Sequence, residues 1–136
     1  MKKDETGSAH VHHVAVLVED LERAQRLFTE GFGFSSGPIR ENAKIGIKSV
    51  FLDAENVKLE LIQAVAPGPY WDMKEKGLIG MNHIAFRVGD FEPALKKLEK
   101  FGVKPKGEPA ISVAGTVWDL DPKTTSEIRI QIYKQP

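Results

Sequence analysis

Four side chains in this sequence have the types and the spacing to hold a divalent metal ion: His13, Glu60, His83 and Gln131. The two histidines open matching stretches, HVAVLVEDLERA and HIAFRVGDFEPA, which lie 70 residues apart (83 − 13). Glu60 in KLELIQ and Gln131 in RIQIYK lie 71 apart (131 − 60) and mark a second match at nearly the same offset. Two imidazoles, one carboxylate and one carboxamide oxygen suit a divalent transition metal and leave positions open for a substrate. A single histidine on a half-buried strand reads as packing. A pair at one phase of an internal repeat, with Glu and Gln at another, favours a common site over four unrelated strand residues.

Strand parity tests whether the four can converge, because successive side chains of a strand point to opposite faces. Opposite His13 stand Val14, Val16 and Val18; opposite Glu60 stand Val57, Leu59 and Leu61. Opposite His83 are Ile84, Phe86 and Val88, and opposite Gln131 are Ile128, Ile130 and Ile132. Each strand thus has an apolar face for the helices. The candidate residues share the other face with Arg87, Arg129 and Tyr133, and their polarity suits a wet concave site. Arg87 and Arg129 are candidates for a phosphate or carboxylate, and Tyr70, Trp71 and Trp118 for pocket walls or packing.

The elements that must position these residues follow from the pattern. His12 to Val18 alternates as a strand. Asp20 caps a helix that carries Leu21, Ala24, Leu27 and Phe28 at helical spacing to about Glu30, and Gly31 ends it. Phe34 to Ile39 is a weaker strand, Arg40 to Lys44 a polar loop, and Ile45 to Leu52 and Val57 to Gln63 are strands joined by a turn. A linker containing PGPYW follows, with helical character near Trp71 to Lys76. The second half repeats the plan: a strand at His83 to Val88, and a helix capped by Asp90 with Pro93 in its first turn. Strands near Lys106 to Ile111, Gly115 to Leu120 and Glu127 to Tyr133 complete it. The expected fold class is α+β, two tandem βαβββ modules forming a curved mixed sheet with helices outside. The expected boundaries are a flexible segment at 1–11, a first module at 12–66, a linker at 67–81 and a second module at 82–136.

At 136 residues one domain is expected, and each half alone would be marginal. Nineteen basic and nineteen acidic residues cancel, which removes the electrostatic reason to expect nucleic acid or an anionic membrane. No apolar run approaches the ~20 residues of a bilayer span, and the opening MKKDETGSAHVH lacks the apolar core of a secretory signal. The expectation is a cytoplasmic protein. Without cysteine there is neither disulfide nor thiol nucleophile. No nucleotide-binding loop or Ser/His/Asp arrangement is present, and His10 and His12 read as histidines at a strand entrance.

HHVAVLVEDLERA, KLELIQ and GMNHIAFRVGD resemble the vicinal oxygen chelate superfamily, which includes glyoxalase I and methylmalonyl-CoA epimerase, and the epimerase branch most of all. The resemblance runs from about His12 to Tyr133. It implies paired βαβββ modules around one divalent metal ion held by His13, Glu60, His83 and Gln131, and often a homodimer. Cobalt, nickel, zinc, manganese, iron and magnesium are not distinguished. The chain departs from the epimerase pattern twice. The last-strand ligand there is usually glutamate, whereas RIQIY offers Gln131. A glutamate base precedes a glycine in a motif like EQGVK, whereas AKIGIK puts Lys44 at that position, with Glu41 nearby but out of register. Glu60 is then the base candidate from the opposite side of the pseudo-symmetric site, with Lys44 as a second acid–base group or a carboxylate holder.

The reading that follows is a metal-dependent isomerase, epimerase or lyase. It acts on a small carbonyl or acyl-CoA compound through a metal-stabilised enolate. A glyoxalase I-like lactoylglutathione lyase is the alternative. Further off are a non-haem iron dioxygenase, whose carboxylate ligand would belong on the last strand, and a ligand-sequestering binding protein.

Overall fold

A computed structural model describes residues 9–112 and 114–136, which form two compact units. One is His13–Asn82; the other is His83–Pro136 together with the described residues up to His12.

In the first unit, strand β1 (His10–Leu17) leads into helix α1 (Leu21–Arg26). The chain stops being extended at Asp20, whose carboxylate accepts a hydrogen bond from the Arg23 N–H at 3.1 Å. Gln63, distant in sequence, accepts from the Leu21 N–H at 2.9 Å, so two of the orphan donors of the first turn are satisfied. The helix continues to Gly31 as expected, but its last stretch, Leu27–Gly31, widens into a π-helical turn. Strands β2 (Ser35–Ser36), β3 (Arg40–Asn42), β4 (Ile47–Asp53) and β5 (Lys58–Ala64) follow, then helix α2 (Pro69–Glu75). The strand order is β2-β4-β5-β1, with β3 also paired to β4. β1 and β5 run parallel, while β4 is antiparallel to β5, β2 and β3.

The polar stretch expected as a loop therefore contains a strand. Arg40, Glu41 and Asn42 pair with Ser49, Lys48 and Ile47, and a turn begins only at Ala43. An exposed edge strand needs backbone partners rather than an apolar face, so periodicity does not reveal it.

Both faces of this sheet carry core. On the α1 side Leu21, Val50, Leu52 and Leu61 are buried, with Val16, Val18, Phe28, Phe34 and Leu59 packed around them. On the other side Ala15, Leu17, Ile47 and Ile62 are buried beneath Tyr70 and Met73 of α2. The proline-rich stretch thus does packing work: burying a side chain of leucine or isoleucine size contributes roughly 1.5–3 kcal/mol.

The second unit repeats the plan with β6 (Gly80–Arg87), helix α3 (Phe91–Glu99), β7 (Ala110–Ser112), β8 (Gly115–Asp119) and β9 (Ile130–Lys134). The order is β6-β9-β8-β7, with β6 and β9 parallel and the other pairs antiparallel. Asp90 caps α3, accepting from the Phe91 N–H at 2.8 Å. Strand β9 starts three residues later than expected. Ser126 and Glu127 have left-handed φ values of 57° and 65°, which no strand accommodates. They follow the short 3-10 turn Pro122–Thr124, capped by Asp121. Similarly, of the expected Lys106 to Ile111 strand only Ala110 and Ile111 pair continuously, as part of β7, and an isolated bridge precedes it at Pro105. The βαβββ plan, α+β with mixed sheets, holds in both halves, with β3 an added edge strand in the first. Among the described residues no helix is long and apolar enough to cross a membrane.

Candidate functional site

His13 sits on β1 and is 3% exposed. Parallel pairing sets Ala15 of β1 beside Glu60 of β5, so Glu60 shares the His13 face. The side chains meet there, with His13 Nε2 3.4 Å from Glu60 Oε1. Phe51 of β4, paired with Glu60, presents its ring to the His13 imidazole in an edge arrangement at 5.3 Å. Such a ring supplies little polarity, and burial pushes the Glu60 carboxyl up to about 7. This half of the site is drier than the wet surface expected from parity. The apolar layer of Ala15, Leu17 and Ile62 continues the same face.

His83 on β6 is also buried. Burial, and then the positive charge of Arg129, lower its pKa to about 4. At neutral pH it is an uncharged imidazole, the form in which histidine binds a metal. Gln131 of β9 pairs with Ala85 of β6, two positions along from His83, and therefore shares its face half-buried. Arg129, just before β9, gives its carbonyl to the Ile84 N–H at 3.1 Å.

Other residues read from the sequence are placed as follows. Lys44 lies exposed in the turn between β3 and β4, its N–H donating to Asn42 Oδ1 at 3.2 Å. Glu41 is exposed on β3. Arg87 donates to Gln135 Oε1, and Tyr133 donates to the Ala114 carbonyl while stacking on His12 at 3.9 Å. The aromatic residues are committed to packing: Tyr70 covers the core, Trp71 lies under Lys74, and Trp118 donates to the Gly107 carbonyl at 2.9 Å. Two contributors escaped the sequence reading, Phe51 as the edge against His13 and Gln63 as the cap of α1. Alternation around Glu60 and Asp20 marks their strands without showing these cross-strand contacts.

A groove along α1, lined by Asp20, Arg23, Arg26, Leu27 and Glu30, opens on the helix side of the first unit. Its charges are partly self-satisfied, as in the Arg26–Glu30 pair at 3.1 Å, and it contains none of the candidate ligands.

Residues 12–116 match a family model described as the glyoxalase/bleomycin resistance protein/dioxygenase superfamily. An ethylmalonyl-CoA/methylmalonyl-CoA epimerase of Cereibacter sphaeroides is 31% identical over 118 residues, covering 83% of this chain and 88% of that protein. A mitochondrial methylmalonyl-CoA epimerase of Dictyostelium discoideum is 26% identical, covering 95% of this chain and 80% of the relative. Among solved structures, a hypothetical protein of Bacillus halodurans superposes with a TM-score of 0.86 at 19% identity, covering 95% of this chain and 96% of the other. Methylmalonyl-CoA epimerase of Mycobacterium tuberculosis gives 0.83 at 20% identity, covering 93% and 88%.

Proposed function

Because the chain belongs to the glyoxalase/bleomycin resistance protein/dioxygenase superfamily, we propose that it is an isomerase of the epimerase type. It would move the proton on the carbon beside the thioester carbonyl of a small acyl-CoA. Its relatives named as methylmalonyl-CoA epimerases support this reading. The observation that carries the chemistry is the buried Glu60 carboxyl beside His13, with a pKa of about 7. Once ionised, such a carboxylate can take a carbon-bound proton from an activated position.

His13, Glu60 and His83 are a donor set of the kind that holds a metal ion, and we assign them that role with Gln131 as the fourth ligand. The fit is chemical: His83 stays neutral, Glu60 supplies one negative charge, and a carboxamide oxygen completes a mixed N/O set. A divalent ion held by these residues would supply Lewis acidity toward the substrate carbonyl oxygen. Glu60 takes the proton from the carbon next to that carbonyl. Epimerisation then needs a proton delivered to the opposite face of the planar carbon. Lys44, exposed in the turn between β3 and β4, is the candidate for that second group. The reading includes a homodimer, as the family resemblance implies, and a cytoplasmic location.

The test is exchange of the substrate's α-proton with deuterium, followed by NMR on methylmalonyl-CoA with the protein metal-replete. Wild type should exchange. Glu60→Gln should keep the metal and lose roughly 10²–10⁴-fold in rate. Unchanged exchange in Glu60→Gln would remove Glu60 from the role. Oxygen consumption, or turnover of a hemithioacetal alone, would replace the epimerase reading with the dioxygenase or the lyase.

A further inference from the structure

The charges of this chain cancel overall but not locally. From Lys96 to Lys106 the sequence reads KKLEKFGVKPK, five lysines against the single acid Glu99, with Phe101 at the centre. All five lysines are exposed, and Phe101 is 82% exposed, so its ring stands outside the core. Among the described residues none of the five lysines enters an ion pair.

The backbone holds this corner in place. Helix α3 closes on a left-handed Gly102 with φ of 77°. The N–H groups of Phe101 and Val103 donate to the Leu98 carbonyl at 2.9 and 3.2 Å, and that of Gly102 donates to the Glu99 carbonyl at 2.9 Å. Leu98 and Val103 are the half-buried apolar residues of this helix end, and Phe101 is left outside them. The chain then runs against the 3-10 turn. The Lys104 N–H donates to Thr124 Oγ1 at 3.1 Å, and the Asp121 N–H donates to the Lys104 carbonyl at 2.8 Å. That turn brings in a sixth exposed lysine, Lys123. Its acids, Asp121 and Glu127, are fewer, and the Asp121 carboxylate caps the turn by accepting from the Lys123 N–H at 3.1 Å.

A fixed apolar tip thus stands among cations, and the kind of cation says what it meets. Every basic residue from 88 to 128 is a lysine; the arginines all lie elsewhere. Protein interfaces favour arginine, whose planar fork pairs with a defined carboxylate, and are depleted in lysine. Lysine is a point charge on a flexible apolar stem, which suits a mobile anionic surface. We propose that this corner is a peripheral docking surface for an anionic lipid bilayer. Phe101 enters the headgroup layer, and Lys97, Lys100, Lys104 and Lys123 meet the lipid anions around it. The surface lies wholly in the second unit and contains none of the candidate ligands, so it stands or falls apart from the epimerase reading.

Co-sedimentation of the full chain with phosphatidylcholine vesicles, made with and without phosphatidylserine, tests the surface. Wild type should bind only the vesicles that contain phosphatidylserine, and added salt should release it. Lys100→Gln/Lys104→Gln should lower the partition coefficient about 30-fold, roughly fivefold for each lysine. Lys58→Gln/Lys76→Gln removes the same charge from exposed positions of the first unit and should change little. Phe101→Ser should weaken binding about tenfold and leave the melting temperature unchanged, because the ring is already in solvent. Equal losses in the two double variants would reduce the effect to net charge, and full binding by Phe101→Ser would remove the inserted ring; either result overturns the proposal. A wild type that ignores phosphatidylserine vesicles overturns it as well, and retention of a polyglutamate peptide in their place, through the same lysines, would hand the surface to an acidic protein.

Discussion

Glu60 is the residue on which the proposed site and chemistry both turn, and its burial makes a measurable demand on the proposed metal binding. A ligand carboxyl with a pKa of about 7 must release its proton before it can coordinate. Affinity for zinc or cobalt should therefore fall about tenfold for each pH unit below 7 on account of Glu60, and level off above it. His83, with a pKa near 4, does not compete over that range. Calorimetric titration at several pH values checks this: Glu60→Gln should flatten the dependence, and equal slopes in both proteins would count against Glu60 as a ligand. His13, Glu60 and His83 stood out as candidates because each stands at a matching phase of a repeat. The perturbed carboxyl was not, since it arises from Phe51 and the apolar layer, which reach Glu60 only once β4, β5 and β1 have paired.

At the scale of elements, legibility followed the strength of local signals. β1, β5, β6 and the two principal helices alternate or recur clearly, and Asp20 and Asp90 cap the helices where the sequence places them. β3 was hidden because Arg40, Glu41 and Asn42 are all exposed at an edge, and β9 was overextended because Ser126 and Glu127 give no warning of their left-handed backbone. Two substitutions probe how the elements are held. Asp20→Ala should cost about 1 kcal/mol by chemical denaturation, at the middle of the range for capping residues, with Gln63 still serving the Leu21 N–H. Gly46→Ala should cost more, several kcal/mol. Gly46 has φ of 68°, and a Cβ there would collide with the Ala66 carbonyl and lie 2.9 Å from the Pro67 oxygen. That glycine lets the β3–β4 turn lie against the segment leading into α2, where its carbonyl accepts from Val65 and Ala66. If Gly46→Ala melted at the wild-type temperature, this close approach would not be a constraint on the fold.

At the scale of the whole molecule, two buried ionisable groups, Glu60 and His83, act on folding in opposite directions. Glu60 has its folded pKa raised from 4.5 to about 7. Its contribution is full below the unfolded value and is lost as pH rises through 7. His83 has its folded pKa lowered from 6.5 to about 4, so its contribution is full above 6.5 and is lost as pH falls through 4. Each displacement is worth roughly 3 kcal/mol. In the metal-free protein, going from pH 7 to pH 4, the gain from Glu60 nearly cancels the loss from His83. Glu60→Gln uncovers that loss. Measured in chelator by urea denaturation, the variant should lose roughly 3 kcal/mol more than wild type over this interval, whatever the absolute stabilities at pH 7. His83→Gln should do the reverse and become relatively more stable in acid. Saturating metal, bound as proposed, would hold Glu60 ionised and His83 neutral, so it should add RT ln(1 + [M]/Kd) and make wild-type stability rise with pH in step with affinity. Parallel stability curves for metal-free wild type and Glu60→Gln would mean that Glu60 titrates as an ordinary exposed carboxyl. The poised base at the centre of the proposed chemistry would then be lost with it.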